Sequence, residues 1–194
     1  MVLIDPRGFC TDKHHQIDDE IYGWGQGMLM KAEPLVLAVE NALNQCSASL
    51  ERTKIVYLAP SELIFDQQKA VQYCDLEHLV LICWRYEGID HRMELVLEDR
   101  YPWVYEKISL WSFITMGAEA PAMVVIEAVT RLMPGVIGSP ESWQDESYQP
   151  WVSQWILEYP QYTRPEEIFG HKVPDVLLSG NHAKIQQWKK ENRK

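Results

Sequence analysis

Leu81-Ile82-Cys83-Trp84-Arg85-Tyr86-Glu87-Gly88-Ile89-Asp90 is the stretch whose reading decides the fold. The apolar run Leu79-Val80-Leu81-Ile82 reads as a buried strand. It ends in a polar turn that packs Arg85, Glu87 and Asp90 into six residues, with Gly88 free to bend sharply. Dense charge at the carboxyl end of a buried strand points to a ligand crevice, because that is where open α/β sheets hold their ligands.

The bulk numbers narrow the class. A chain of 194 residues that is 46% hydrophobic can bury one ordinary core and still carry a small appendage. No apolar run reaches membrane-spanning length. Asp5, Arg7 and Asp12 interrupt any signal-peptide-like segment at the start. Cys10, Cys46, Cys74 and Cys83 show no paired spacing, which fits reduced thiols and no zinc site. A cytoplasmic setting, or an organelle matrix of bacterial descent, is expected. A net charge of −10 argues against general nucleic-acid binding but leaves room for local basic patches.

Along the chain, Val2 to Gln16 reads as a short strand-like start. Pro34 is expected to open an amphipathic helix carrying Leu35, Val39, Ala42 and Leu43. Lys54 to Pro60 is the next buried strand, and Asp66 to Cys74 a helix. After the strand at Leu79–Cys83, His91 to Glu98 reads as a helix, and Arg100 to Lys107 as an aromatic connector at the surface or an interface. Pro121 starts an apolar helix that runs to Met133 and stops at Pro134-Gly135. Ser139 to Trp155 has the composition of a linker. Asn181 is placed to cap a last helix, with Ile185 and Trp188 on one face and Lys184, Lys189, Lys190, Arg193 and Lys194 around it.

Several segments together resemble the TrmD family, bacterial tRNA (guanine-N1)-methyltransferases of the knotted SPOUT superfamily. The turn Cys83 to Arg92 is similar to C-G-R-Y-E-G-[IVF]-D-E-R, with Trp84 for a glycine. Asp5-Pro6-Arg7-Gly8-Phe9-Cys10-Thr11-Asp12-Lys13-His14 follows the family's N-terminal signature. Asp18-Asp19-Glu20-Ile21-Tyr22-Gly23-Trp24-Gly25-Gln26-Gly27-Met28 is similar to D-D-x-x-Y-G-G-G-x-G-M, with Trp24 for the middle glycine. Ile108 to Pro121 is similar to I-S-[IL]-G-D-[YF]-V-L-T-G-G-E-L-P, with Trp111 and Ala118 for glycines, and Glu62 replaces another in the family's S-P-Q-G. Glu158 to Pro165 and Val173 to Ile185 match the family's C-terminal motifs.

The resemblance implies an α/β fold: a SPOUT-type parallel sheet with flanking helices and a trefoil knot built from the 83–90 and 109–121 loops, plus a small, mostly helical C-terminal domain. The expected layout is a knotted domain over 1–138, a linker over 139–158 and a short C-terminal domain over 159–194. Family members begin about one strand and one helix earlier and continue further, so both ends are expected to be shortened. The partners implied are a second copy of the chain and tRNA, with a larger complex as a further option. The donor implied is S-adenosylmethionine, and the resemblance also admits magnesium.

Its residues map as follows. Arg131 would hold developing charge on the guanine oxygen, and Asp145 or Glu146 would take the ring proton. Leu58, Pro60, Tyr86, Glu87, Gly88, Ile108, Phe113, Gly117 and Pro121 would hold the donor. Asp18, Asp19, Gly25, Gly27, Asn181 and His182 would meet RNA. Against this stand the replaced glycines. Two indoles aimed into a small-molecule cavity would fill it, since each covers roughly 150–250 Å². Trp84 and Trp111 are therefore expected to plug the donor pocket, leaving a binding or assembly module without methyl transfer. The alternative is an active tRNA (guanine-N1)-methyltransferase with an unusual pocket.

Overall fold

The computed structural model of the chain describes residues 1–137, 146–148 and 156–194. They fall into two compact units, Met1–Val136 and Ile137–Lys194.

The first unit is built on a parallel sheet of three strands, β3 (Thr53–Leu58) at the centre, β4 (His78–Ile82) and β5 (Tyr105–Ile108) at its sides. Before it come a hairpin of β1 (Asp18–Glu20) and β2 (Met28–Met30) and the helix α1 (Ala32–Asn44). Helix α2 (Gln67–Cys74) lies between β3 and β4, α3 (Arg92–Arg100) between β4 and β5, and α4 (Glu119–Thr130) after β5. A central parallel strand is covered on both faces, so it reads as an unbroken apolar run. Along β3, Ile55 and Tyr57 face a core shared with Leu35, Val36 and Val39 of α1 and Met93 and Leu97 of α3. Val56 and Leu58 face the opposite core, with Ala70 and Tyr73 of α2 and Ala122, Val125 and Val129 of α4. Full burial of side chains such as Ile55, Ile108 and Val125 contributes about 2 kcal/mol each.

Several expected boundaries move. The N-terminal stretch holds a 3-10 turn at Pro6–Phe9, capped by the Asp5 carboxylate, and no strand. Pro34 and Pro121 sit inside the first turns of α1 and α4, where the missing N–H has no helical acceptor to lose. The supposed connector at 100–107 contains β5, and Tyr105 belongs to the core. The two charged residues of β5, Glu106 and Lys107, are half-buried and make their pairs with different helices. Glu106 accepts from the Tyr73 hydroxyl and pairs with Lys69 at 2.7 Å on the α2 side. Lys107 pairs with the buried Glu94 of α3 at 3.1 Å and lies 5.4 Å from the Tyr57 ring centroid.

The second unit carries a two-stranded hairpin of β6 (Glu167–Ile168) and β7 (His171–Lys172), then α5 (Asp175–Leu178) and α6 (His182–Glu191). Tyr159 and Tyr162 each meet Trp188 at 6.3 Å between ring centroids, and Lys189 Nζ lies 4.7 Å from the Tyr159 centroid. Leu157 and Lys194 exchange backbone hydrogen bonds of 2.6 and 3.3 Å.

Candidate active site

Three segments leave the carboxyl ends of the parallel strands and converge. The segment after β3 carries Ala59 to Ser61, the turn after β4 runs from Cys83 to Asp90, and the loop after β5 runs from Ser109 to Ala118. The second and third are pressed together. The Ala118 N–H donates to the Trp84 carbonyl oxygen at 3.1 Å, and a Cβ on Gly117 would stand 3.1 Å from that same oxygen. Arg85 Nε bonds Glu119 Oε1 at 2.6 Å across the same junction.

The turn itself is tied to the β1–β2 hairpin. Glu87 N–H donates to Met28 O at 3.0 Å, Met30 N–H to Gly88 O at 2.9 Å, and Asp90 N–H to Met30 O at 2.9 Å. Gly88 has φ +121°, and the non-glycine Tyr86 beside it has φ +58°. Tyr57 lies beneath the turn; burial, then the charge of Glu94, pushes its hydroxyl up to about 12. The hydrogen bond from Arg92 holds the Asp90 carboxyl below its ordinary range. The Cys83 thiol is pushed up to about 11 by burial and then by Glu119, so it stays protonated and is no nucleophile near neutral pH.

Between these loops lies a cavity of about 30 Å³. Of the expected donor residues, Leu58, Pro60, Ile108, Phe113 and Pro121 line it, whereas Tyr86, Glu87, Gly88 and Gly117 do not. Trp84 and Trp111 also line it, but they behave differently. Trp84 is half-buried, packs against both cores, and donates from Nε1 to the Leu58 carbonyl oxygen at 2.5 Å. Trp111 is 55% exposed, against the expectation that both rings fill the site. The Ser109 hydroxyl bonds Trp111 O at 2.8 Å and fixes the backbone there, leaving the Trp111 ring at the rim.

The remaining expected site residues are spread over both units. Arg131 caps the C-terminus of α4 in the first unit and is half-buried. Glu146 is half-buried in the second unit, and Asp145 lies outside the described residues. Asp18 and Asp19 lie on β1, with Asp19 3.6 Å from Lys31 Nζ. Gly25 and Gly27 lie in the β1–β2 loop, where a Cβ would stand 2.7 Å from Ile21 Cγ2 and 2.5 Å from Glu87 Cγ respectively. Asn181 is used as an N-cap, its side-chain oxygen accepting from the Lys184 N–H at 3.2 Å, and the exposed His182 opens α6. Among the described residues no group of three His, Cys, Asp or Glu is placed to hold a metal ion. Among them, too, no helix is long and apolar enough to cross a membrane.

A family model described as tRNA (Guanine-1)-methyltransferase TrmD matches residues 1–194. The chain belongs to the TrmD family. It is 43% identical over 189 residues to the tRNA (guanine-N(1)-)-methyltransferase of Moorella thermoacetica, covering 97% of this chain and 71% of that one. The enzyme of the same name from Dictyoglomus turgidum is 44% identical over 186 residues, 95% of this chain and 69% of its own. That of Staphylococcus aureus strain JH9 is 43% identical over 187 residues, 96% and 70%.

TrmD methyltransferases use S-adenosylmethionine. Pockets for ligands of that size span roughly 300–1,000 Å³, whereas the space here is about that of one water. The Trp84 indole N–H takes the Leu58 carbonyl oxygen at its edge. What the TrmD motif residues achieve in this geometry is to hold the three loops and the hairpin in one fixed cluster at the end of the sheet.

Proposed function

We propose that this chain is an active tRNA (guanine-N1)-methyltransferase. The observation that carries the reading is likeness at 43–44% identity along 95–97% of the chain to enzymes of that name. That breadth favours activity over the loss of methyl transfer expected from the replaced glycines. The substrate is the tRNA guanine 3′ of the anticodon, and the methyl group comes from S-adenosylmethionine.

The chain's own residues have a defined task. The guanine N1 carries a proton and is a poor nucleophile until that proton leaves. A carboxylate from Asp145 or Glu146 accepts it, and the Arg131 guanidinium holds the negative charge that gathers on the base oxygen. The loops at 83–90 and 109–121 form the knot; their tight approach at Gly117 supports this. A second copy of the chain covers α4, whose Met123 and Val124 are exposed alongside the exposed Met116. The test is transfer of labelled methyl to a tRNA transcript with guanine at that position, compared with one carrying adenine there. Turnover on the first alone is expected, with losses of a hundredfold or more in Arg131→Met and in the better of Asp145→Asn and Glu146→Gln. No transfer by the unaltered chain, at any donor concentration, would refute it.

One observation favours a second reading. The Trp84 N–H is satisfied by Leu58 O within the family's donor site. In that reading the indole stands permanently where the donor would lie, and the chain binds RNA without methylating it. Donor binding separates the two readings.

A further inference from the structure

A second hollow, of about 450 Å³, opens at the amino ends of β3 and β5. Spaces of roughly 300–1,000 Å³ hold small molecules. Lys54 borders it at the start of β3, about 13 Å along the strand from Leu58 at the candidate active site. Both walls are fixed by backbone. On one side, the turn Leu50–Arg52 is closed on the Ser49 carbonyl oxygen by the Arg52 N–H at 3.0 Å and the Thr53 hydroxyl at 2.9 Å. On the other, the Tyr101 N–H ends α3 by donating to Leu97 O at 2.8 Å, and Tyr101 O accepts from the Val104 N–H at 3.0 Å. Lys54 Nζ ties the walls together by donating to Trp103 O at 2.5 Å. The Trp103 backbone is thus held while its ring stands 84% exposed, and Leu50 on the facing wall is 52% exposed.

The charges that border this space have both signs. Lys54 and Arg100 stand there with Glu51. Lys54 has two more N–H donors beyond the one given to Trp103 O, and neither Lys54 nor Glu51 makes an ion pair among the described residues. Arg100 pairs with Glu40 of α1 through one nitrogen of five N–H donors, so it has others to offer. It also ends α3, whose carboxyl terminus carries partial negative charge. A simple anion would meet Glu51 and that helix end; a simple cation would meet Lys54 and Arg100. A molecule carrying both charges on one small unit satisfies both sets, and an apolar body beside them covers Trp103 and Leu50. We propose that this hollow binds a free α-amino acid with a large apolar side chain. Its carboxylate meets Lys54 and Arg100, its ammonium meets Glu51, and its side chain lies on the Trp103 ring. The assignment is independent of methyl transfer.

The test is calorimetry and saturation-transfer NMR on the full chain with L-phenylalanine, expected to bind at about 0.1–1 mM. Three analogues each remove one feature. L-alanine, which lacks the ring, should bind about tenfold more weakly. Phenethylamine lacks the carboxylate and 3-phenylpropionate the ammonium, and each should lose about fivefold. Trp103→Ala should weaken L-phenylalanine about tenfold at an unchanged thermal midpoint, since the exposed ring supports little of the fold. Glu51→Gln carries the sharper prediction. It should weaken L-phenylalanine about fivefold and bind 3-phenylpropionate as well as or better than the unaltered chain does. A variant that only loosened the turn would weaken both ligands alike. Absence of binding by both methods at ~10 mM overturns the proposal. So does a single-charge analogue that binds as tightly as the amino acid, or full L-phenylalanine affinity in folded Trp103→Ala and Glu51→Gln.

Discussion

The indole N–H of Trp84 and the carbonyl oxygen of Leu58 meet at 2.5 Å in the wall of the cavity at the carboxyl end of β3. That bond sets a competition. If the ring bars the donor, the apparent affinity is the intrinsic one reduced by the fraction of molecules with the ring out. Trp84→Ala should therefore bind S-adenosylmethionine at least about tenfold more tightly by calorimetry, at a stability cost of about 2 kcal/mol for losing a half-buried ring. Trp84→Phe, which keeps a ring but lacks the N–H, should fall between. Equal affinity in the unaltered chain and Trp84→Ala, both folded, would show that the ring is no barrier.

Gly117 makes a different kind of contact. An added Cβ would stand 2.5 Å from Glu119 Oε2, 3.1 Å from Arg85 Cδ and 3.1 Å from the Trp84 carbonyl oxygen. The Glu119 carboxylate can swing away, but only by loosening its pair with Arg85, and the Trp84 carbonyl is already held by the Ala118 N–H. Gly117→Ala should cost about 1–2 kcal/mol of stability. A chemical-denaturation midpoint equal to that of the unaltered chain would mean that the two loops are less tightly joined than their geometry implies.

Much of this arrangement is legible in the sequence. The apolar runs around Ile55 and Leu81 have the composition of doubly covered strands, and the strand-ending turn does border the cavity. Strand β5 was not legible, because Glu106 and Lys107 sit in its middle and look like surface residues. Their partial burial depends on Tyr73, Lys69 and Glu94, which come from two other helices. The fates of the two indoles were not separable either. Both replace family glycines, yet only Trp84 finds an acceptor inside, and no local pattern tells a ring that turns in from one that stays at the rim.

The tyrosines around β5 make stability fall in alkali. Burial pushes Tyr57 up to about 12, and Tyr73 and Tyr105 are also raised, chiefly by burial and further by Glu106 and Glu94. Below the ordinary tyrosine range near pH 10, folded and unfolded chains are equally protonated and these groups add no pH dependence. Between pH 10 and 12 the unfolded chain loses these protons first, so it binds fewer, and folding stability declines as pH rises. Thermal midpoints should drop across that window, and Tyr57→Phe should flatten the slope. A midpoint independent of pH up to 12 would contradict the buried placement of these hydroxyls.

Phe169 offers a gain in stability. It and Gly170 join Ile168 to His171 as a two-residue hairpin loop with φ +50° and +83°, both left-handed. Hairpins of that kind favour Asn-Gly, since the short amide side chain tolerates the left-handed region and a benzyl group does not. Phe169 is also 98% exposed, so its ring gains nothing from burial within its own unit. Phe169→Asn should stabilise the β6–β7 hairpin by about 1 kcal/mol. Slower amide hydrogen exchange at Ile168 and Lys172 is the direct readout, because a firmer turn opens less often. Faster exchange in the variant would mean that the ring serves the hairpin through a contact of its own, and the strain would then be part of how that contact is held.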